Sequence, residues 1–296
     1  MYPILFSYKG LQISSYGLML VVAFLTCNYL LRRDLIKKNK NPDIADDIIF
    51  RAAIGGVLGA KIYYLLENIN NGIAAENIKG FLSIFKGILT LDFSTIALGI
   101  QNFGSGMVFL GGLIGGMISV SLYLKKNNIP WLEGADWVAP YLILGHAIGR
   151  LGCFLVGDCY GTTCNLPWAV SFPNGLPPTT FESFQYNYPS VFNTEHFQAA
   201  YSAGDIIYVH PTQLYEFCTG ILIFSYLIYI RKKEHYSGLI MFEYLFLAGL
   251  ARFLVEFIRL NPGYILGLSG AQIISAGMMG VSTYFMYVNR KKISIN

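Results

Sequence analysis

Long apolar runs, separated by short polar and basic segments, recur from one end of the chain to the other. A helix that crosses a bilayer needs about 20 mostly apolar residues. The stretch 80–100 is shorter and contains Asp92, so we expect an interfacial or re-entrant segment there. The pattern predicts an all-α polytopic membrane protein with about seven transmembrane helices, at 11–31, 46–66, 104–124, 135–157, 212–230, 238–258 and 268–288.

Composition supports the same class of protein. The chain has 296 residues, of which 54% are hydrophobic and 13% are charged, and its mean hydropathy is +0.48. An average soluble domain is about 25% charged. Because so few polar side chains cannot cover a surface that faces water, we expect a single integral membrane domain over residues 1–296.

The distribution of Lys and Arg predicts the orientation, because these residues prefer cytoplasmic loops. The loops after the first, third and fifth spans and the C-terminal tail together contain 13 of them, whereas the opposite side has four. The segment 158–211 contains none. We therefore expect the N-terminus outside, the C-terminus in the cytoplasm, and 158–211 as a small external cap between spans four and five. Within this cap, residues 168–172 are expected to form a short strand.

Charge and cysteine usage argue against two classes of ligand. The net charge is +4, but the basic residues form short clusters and no continuous stripe, so a nucleic acid is not an expected partner. Without a CxxC pair, no zinc or other metal site is expected. Cys159 and Cys164 could form a disulfide in an oxidising compartment. The five cysteines are Cys27, Cys153, Cys159, Cys164 and Cys218.

Polar residues inside the predicted spans converge on one depth. A charge within a bilayer is costly, so such residues are functional candidates. In the predicted topology they fall toward the outer ends of their spans, as expected of a shared site. The residues concerned are Tyr16, Lys61, Arg150, His210, Glu216, Arg252, Glu256 and Gln272.

The arginines among them indicate a possible ligand. Arg252, Glu256 and Arg259 share one helix face, where an ion pair between Arg252 and Glu256 could serve only to hold the bundle together. Arg150 has no obvious partner within four residues, so we expect it to bind an anion or line a cavity. Two guanidinium groups at one depth suit a phosphate, whose oxygens match the guanidinium fork.

Glycines and histidines leave alternatives open. The glycine patterns at 55–59, 111–116 and 149–152 are typical of close helix packing, although they could also make room for a lipid headgroup or acyl chain. His146 lies near the middle of span four and could be a packing histidine bonded to a neighbouring helix. His210 precedes Pro211 and is either a structural cap or a site residue.

Five motifs, in order along nearly the whole chain, carry a family resemblance. The stretch from Gly149 to Phe154, followed by Gly157 and Gly161, resembles the signature of prolipoprotein diacylglyceryl transferases. Each motif is short, but five in the same order are specific. The other four are the residues 16–19, 111–115, 210–216 and 252–259, which read YGLM, GGLIG, HPTQLYE and RFLVEFIR.

The resemblance implies an activity and its setting. The family transfers the diacylglyceryl group of phosphatidylglycerol to the lipobox cysteine thiol of a preprolipoprotein in the bacterial inner membrane, without a metal or organic cofactor. Matched to this sequence, the important positions of the family are Tyr16, Arg150, Gly161, Arg252, Glu256 and Gln272. We expect a catalytic set of Tyr16, Arg150, Arg252 and Glu256, together with His210 as a candidate base. The residues expected to bind phosphatidylglycerol are Lys61, Gly111, Gly112, Arg150, Gly157, Gly161, Arg252 and Gln272.

The chain departs from the family pattern at four positions and looks like a divergent branch. Leu110 stands where the family usually has a histidine, Cys153 where it has Asn, Asp158 where it has Glu, and Lys61 where it has Arg. The general base is therefore open among His210, His146 and Tyr16.

Two other functions are weighed against transfer. Leu110 supports a lipid-binding or inactive paralogue on the same fold. Charges within spans also occur in transporters, but here they share one depth and the chain shows no inverted repeat.

Overall fold

The computed structural model describes residues 2–8, 11–70, 72–104, 106–264 and 266–295, and it is mostly helical. Strands β1 (Ile4–Tyr8) and β2 (Leu11–Ser14) form a two-stranded sheet. The helices of the first half are α1 (Ser15–Lys37), α2 (Asp43–Glu67), α3 (Ile73–Thr90), α4 (Phe93–Gly104), α5 (Phe109–Lys126) and α6 (Trp131–Val156). Those that follow are α7 (Phe181–Asn187), α8 (Pro189–Phe192), α9 (Glu195–Ala200), α10 (Thr212–Ile230), α11 (Leu239–Val255) and α12 (Gly270–Ile295).

Four of the described helices, α1, α2, α6 and α10, are long and apolar enough to cross a membrane. The chain is therefore a multi-pass helical membrane protein. The three other predicted spans also fall on helices, namely α5, α11 and α12. Helix α11 has only 17 residues, fewer than the roughly 20 that a span needs. The total of seven crossings stays a prediction.

The stretch 80–100, expected as one short segment, belongs to two helices. Helix α3 ends at Thr90, and Leu91 adopts a left-handed conformation with φ of 52°. Asp92 then accepts hydrogen bonds from the backbone N–H groups of Ser94 at 3.0 Å and Thr95 at 3.3 Å, which satisfies free donors at the start of α4. The polar residue that interrupts the apolar pattern therefore begins the second helix of a hairpin.

Internal contacts divide the chain into two compact units. The first comprises Met1–Leu5, Ser14–Cys27 and Ala135–Asn296, and the second comprises Phe6–Ile13 and Asn28–Gly134. In the second unit α2 packs tightly on α5. A Cβ atom on Gly59 would lie 2.3 Å from the carbonyl oxygen of Gly111, and one on Gly115 would lie 2.3 Å from that of Gly55. The close packing predicted from these glycines is confirmed.

In the first unit, two contacts set the neighbours of α6. A Cβ atom on Gly220 of α10 would lie 2.9 Å from that of Ala147, so the two helices approach closely. Asp136 accepts hydrogen bonds from the backbone N–H groups of Gly238 at 2.6 Å and Met241 at 2.9 Å. A carboxylate of α6 thus caps the start of α11. These contacts bring α6, α10 and α11 together.

The segment 158–211 has an aromatic core and short helices. The predicted strand at 168–172 is reduced to one bridge, in which Val170 and Val209 exchange backbone hydrogen bonds of 3.1 and 3.0 Å. Thr180 and Thr194 cap α7 and α9 through their side-chain oxygens. Because burial of large rings provides most of the stabilisation, this core needs no regular sheet. Its fully buried residues are Tyr160, Phe172, Phe184, Phe197, Ile207 and Val209.

Candidate functional site

Glu216 lies at the centre of an ion-paired cluster. Its side chain, on the first turns of α10, is only 7% exposed. One carboxylate oxygen lies 2.8 Å from Nε of Arg150, and the other lies 3.2 Å from Nη1 of Arg259 and 3.4 Å from Nη1 of Arg252. A buried carboxylate is stable only when such partners compensate its lost hydration. One side chain thus gathers cations from α6, from α11 and from the segment after α11.

Glu256 is the second carboxylate of the cluster. It lies 2.9 Å from Nη2 of Arg252, so the ion pair predicted from their spacing is confirmed. A short 3₁₀ turn, Glu256–Ile258, follows α11 and brings Arg259 back to within 3.8 Å of the same carboxylate. Glu256 also accepts hydrogen bonds from Asn261 at 2.5 Å and Ser269 at 2.9 Å. Both carboxylates therefore fix the orientation of Arg252.

The expectation that Arg150 is solitary is wrong. Arg150 is bound to Glu216, and its Nε also lies 3.4 Å from Nε2 of His146, one turn earlier on α6. Its ion-pair partner, Glu216, lies on another helix and so could not be found within four residues. His146 Nε2 is 3.3 Å from Glu216, which confirms the interpretation of a histidine bonded to a neighbouring helix.

The ion-paired set carries an excess positive charge. It contains Arg150, Arg252 and Arg259 against Glu216 and Glu256, which leaves one net positive charge when His146 is neutral. The most exposed side chains are those of His146 at 43% and Arg252 at 28%. A partly buried set of guanidinium groups with excess positive charge favours an anionic ligand, and planar forks suit phosphate oxygens.

Tyr16 and His210 occupy different surroundings. Tyr16 begins α1 and packs against Gly152, where an added Cβ would lie 3.2 Å from its ring. His210 Nδ1 lies 3.3 Å from the hydroxyl of Tyr215, which accepts a hydrogen bond of 2.7 Å from the indole N–H of Trp168. Burial lowers the pKa of His210. The described contacts of His210 therefore lead to Tyr215, whereas His146 is the histidine that contacts Arg150 and Glu216.

Backbone geometry accounts for two predicted glycines. Gly157 has a φ of +77°, which favours glycine, and it packs against Gly175. A Cβ on Gly161 would lie 2.4 Å from the carbonyl oxygen of Ile258, just before Arg259. The loop after α6 can therefore approach the ion-paired set only with glycine there. Contacts of Gly157 and Gly161 with substrate stay predictions.

Gln272 completes a capping box at the start of α12. Its side-chain oxygen accepts a hydrogen bond of 2.9 Å from the backbone N–H of Ser269, whose hydroxyl accepts one of 3.2 Å from the backbone N–H of Gln272. The hydroxyl of Ser269 also donates to Glu256. Gln272 thus connects to the cluster through Ser269, and direct contact with substrate stays a prediction.

Lys61, Gly111 and Gly112 belong to the second unit, where they have packing partners. The ammonium of Lys61 bonds to the side-chain oxygen of Asn77 and the carbonyl oxygen of Phe103, whose ring centre lies 4.6 Å away. Gly111 and Gly112 lie in the contact between α2 and α5. These contacts explain the three residues within their own unit, and their part in lipid binding stays a prediction.

A second group of polar side chains follows α6. The Sγ atoms of Cys153 and Cys159 and a carboxylate oxygen of Asp158 lie within 4.8 Å of one another. Burial raises the pKa of Asp158 to about 6. Cys159 and Cys164 are both free thiols, so the disulfide considered between them is absent from this structure. The sequence contains no CxxC pair, so the approach of these three donor atoms could not be predicted from it.

Glu216 was predicted at the depth of the shared site without a catalytic or binding role, and Arg259 was not among the predicted site residues, although the sequence carried a signal for each. Glu216 closes the motif that begins at His210, and it is an acidic residue inside a predicted span. Arg259 shares a helix face with Arg252. Neither signal shows that one carboxylate binds three arginines, because that depends on how the helices pack.

Comparisons with known proteins agree with the motifs. The sequence profile of the prolipoprotein diacylglyceryl transferase family matches residues 3–288. A phosphatidylglycerol–prolipoprotein diacylglyceryl transferase of Clostridium tetani is 31% identical over 291 residues, which cover 98% of this chain and 98% of that protein. Proteins of the same name are similar in Aliivibrio salmonicida, at 32% identity over 94% of this chain and 83% of that protein, and in Prochlorococcus marinus, at 30% over 86% and 77%.

Proposed function

Because the chain belongs to the prolipoprotein diacylglyceryl transferase family, we propose that it transfers the diacylglyceryl group of phosphatidylglycerol to the lipobox cysteine thiol of prolipoproteins. This is the first step of bacterial lipoprotein maturation. Relatives named phosphatidylglycerol–prolipoprotein diacylglyceryl transferase match the chain over most of its length. The ion-paired cluster supports the proposal, because it can hold the phosphate that the reaction releases.

The proposed setting is the bacterial inner membrane. One integral domain, residues 1–296, crosses it seven times, with the N-terminus outside and the C-terminus in the cytoplasm. The distribution of Lys and Arg supports this orientation, and helices at all seven predicted spans support the count. The cluster then lies toward the periplasmic leaflet. There phosphatidylglycerol can enter sideways between helices, and the signal helix of a prolipoprotein already lies in the bilayer.

Arg150 and Arg252 bind the phosphate in this proposal. Both guanidinium groups contact the same carboxylate, Glu216, so they lie close enough to grip one phosphodiester. Glu256 orients Arg252 from its other side. As the bond between the glyceryl carbon and the phosphate oxygen breaks, negative charge grows on the leaving glycerol phosphate. Preorganised cations at that point stabilise the transition state more than the ground state.

The lipobox thiol must lose its proton as its sulfur bonds to the glyceryl carbon. A free thiol has a pKa of about 8.5, so a general base assists at neutral pH. We favour His146 over His210, because His146 is in the ion-paired set. Nε2 of His146 lies 3.3 Å from Glu216 and 3.4 Å from Nε of Arg150, and the carboxylate of Glu216 would stabilise the imidazolium that forms when the ring takes the thiol proton.

The test is to incubate the purified protein with phosphatidylglycerol and a lipobox peptide and to measure the peptide mass. We expect a diacylglyceryl adduct, and we expect Arg150→Ala and Arg252→Ala each to slow its formation about 10²–10³-fold. Arg231→Ala is the matched control, because Arg231 ends α10 and contacts the ring of Tyr141 instead of the cluster.

Two results would contradict parts of this proposal. If both alanine variants form the adduct at the full rate, Arg150 and Arg252 do not bind the phosphate. Lipid that binds to the protein without ever forming an adduct would favour a lipid-binding paralogue, the function suggested by Leu110.

A further inference from the structure

The group formed by Cys153, Asp158 and Cys159 lies outside the proposed transfer chemistry. Cys153 is buried in the last turn of α6, and the other two residues follow the left-handed Gly157. Because the chain reverses there, three donor atoms come within 4.8 Å of one another. The three side chains therefore share one small polar site.

The donor set matches a particular class of metal ion. Two thiolates and one carboxylate are the ligands that zinc takes, whereas magnesium and calcium prefer oxygen alone. In a tetrahedral zinc site with Zn–S distances of about 2.3 Å, two sulfur atoms lie about 3.8 Å apart. Shifts of about an ångström would bring donors at the observed separations to that geometry.

The backbone that presents these donors is fixed. Cys159 has a φ of 59°, in the left-handed region that residues other than glycine seldom adopt. The hydroxyl of Thr212 donates a hydrogen bond of 2.6 Å to the carbonyl oxygen of Cys159, and the amide of Gln213 donates one of 2.5 Å to that of Asp158. The start of α10 therefore holds both residues in a conformation that aims their side chains toward Cys153.

One further observation points to a ligand at this place. The Oδ1 atom of Asp158 is buried and has no hydrogen-bond partner among the described residues. A buried carboxylate oxygen without a partner is unfavourable, and a cation would satisfy it. A thiophilic cation would also bind the sulfur atoms of Cys153 and Cys159 as thiolates, with release of their protons.

We propose that Cys153, Asp158 and Cys159 form a three-ligand site for a thiophilic divalent cation of the zinc class, with a fourth position open to water. The competing chemistry at the same atoms is a disulfide between Cys153 and Cys159, which would remove both sulfur donors. Cation binding and disulfide formation are mutually exclusive, so a single set of variants separates them.

The experiment uses the full chain in detergent micelles, reduced and stripped of metal by a chelator, and titrates it with Co²⁺. We expect one cobalt per chain and a thiolate-to-cobalt charge-transfer band, which Zn²⁺ abolishes by displacement. Cys153→Ala and Cys159→Ser should abolish the band, and Asp158→Asn should weaken binding at least about tenfold. Cys164→Ser and Cys218→Ser are the matched controls, because these thiols lie outside the group.

Two results would overturn the site. One is a cobalt band that survives in both Cys153→Ala and Cys159→Ser. The other is a disulfide between these two residues in protein purified without reductant. If thermal unfolding shows that Cys153→Ala is not folded, the cobalt titrations of Cys159→Ser and Asp158→Asn decide whether the site binds a cation. The readout needs no lipid and no transfer activity, so its failure leaves the proposed function untouched.

Discussion

Glu216 binds Arg150 at 2.8 Å and thereby fixes a guanidinium group of α6 from a neighbouring helix, α10. The same carboxylate contacts two further arginines. Three cations that depend on one buried anion cannot be rearranged independently. Glu216 therefore holds Arg150 directly, and it shares Arg252 and Arg259 with Glu256.

Replacing Glu216 by glutamine removes its charge and keeps its shape. We expect Glu216→Gln to destabilise the protein by about 3–5 kcal/mol, because breaking a buried ion pair leaves an uncompensated charge. Lipid transfer should fall as well, since Arg150 and Arg252 lose their common partner. Thermal unfolding in detergent and the adduct assay measure the two effects. Glu195→Gln, in an exposed position of α9, should change neither quantity, and a normal melting temperature for Glu216→Gln would contradict the central role of the carboxylate.

The contact between α2 and α5 predicts a contrast between two glycines. An added Cβ on Gly59 would lie 2.3 Å from a backbone oxygen of α5, whereas on Gly56 it would lie 3.7 Å from one. We expect Gly59→Ala to lower the free energy of unfolding by about 1–3 kcal/mol, because the added methyl group overpacks the contact. Gly56→Ala gains the same helix propensity without the clash, so it should be neutral or stabilising. Equal melting temperatures for the two variants would show that the helices do not pack this closely.

Helix α7 offers a matched pair in the aromatic core. Phe184 is fully buried, whereas Tyr186 is 85% exposed on the same helix. Phe184→Ala should cost about 3–5 kcal/mol, because it leaves a cavity among packed rings. Tyr186→Ala should cost much less. Limited proteolysis of the segment 158–211, followed by mass spectrometry, should show faster cleavage in Phe184→Ala alone. Similar cleavage in both variants would argue against a packed core.

The pH dependence of transfer separates the two candidate bases. Burial lowers the pKa of His210, so its imidazole gains a proton at a lower pH than a free histidine does. If His146 is the base, His210→Gln should keep the parent pH profile, with the rate falling as pH decreases. His146→Gln should lower the rate about 10²–10⁴-fold. If the transfer rate of His210→Gln no longer decreases at low pH, His210 is the base instead.

Features that depend on local pattern could be predicted from sequence. The apolar runs predicted the long helices, because the length of such a run decides whether it can cross a bilayer. The glycine pattern predicted the packing of α2 on α5, because small residues let two backbones approach. The pairing of Arg252 with Glu256 followed from their spacing on one helix.

Features that depend on tertiary packing could not be predicted from the sequence. Glu216 meets Arg150 only because α10 packs against α6, and no spacing within either helix encodes that contact. The hairpin at 80–100 was missed because its turn is formed by Leu91, without the glycine or proline that usually marks one. The group that contains Cys153 and Cys159 was missed because a five-residue separation is not a familiar metal-binding spacing.

Ser269 couples the start of α12 to the end of α11. Its hydroxyl joins the capping box of α12 to Glu256, the residue that orients Arg252 at the end of α11. If α11 and α12 separated at this level, the capping box of α12 would break, and Glu256 would no longer be held in the position from which it orients Arg252. We therefore expect phosphatidylglycerol to enter between other helices of the bundle, because entry between α11 and α12 would disturb the arginine that binds its phosphate.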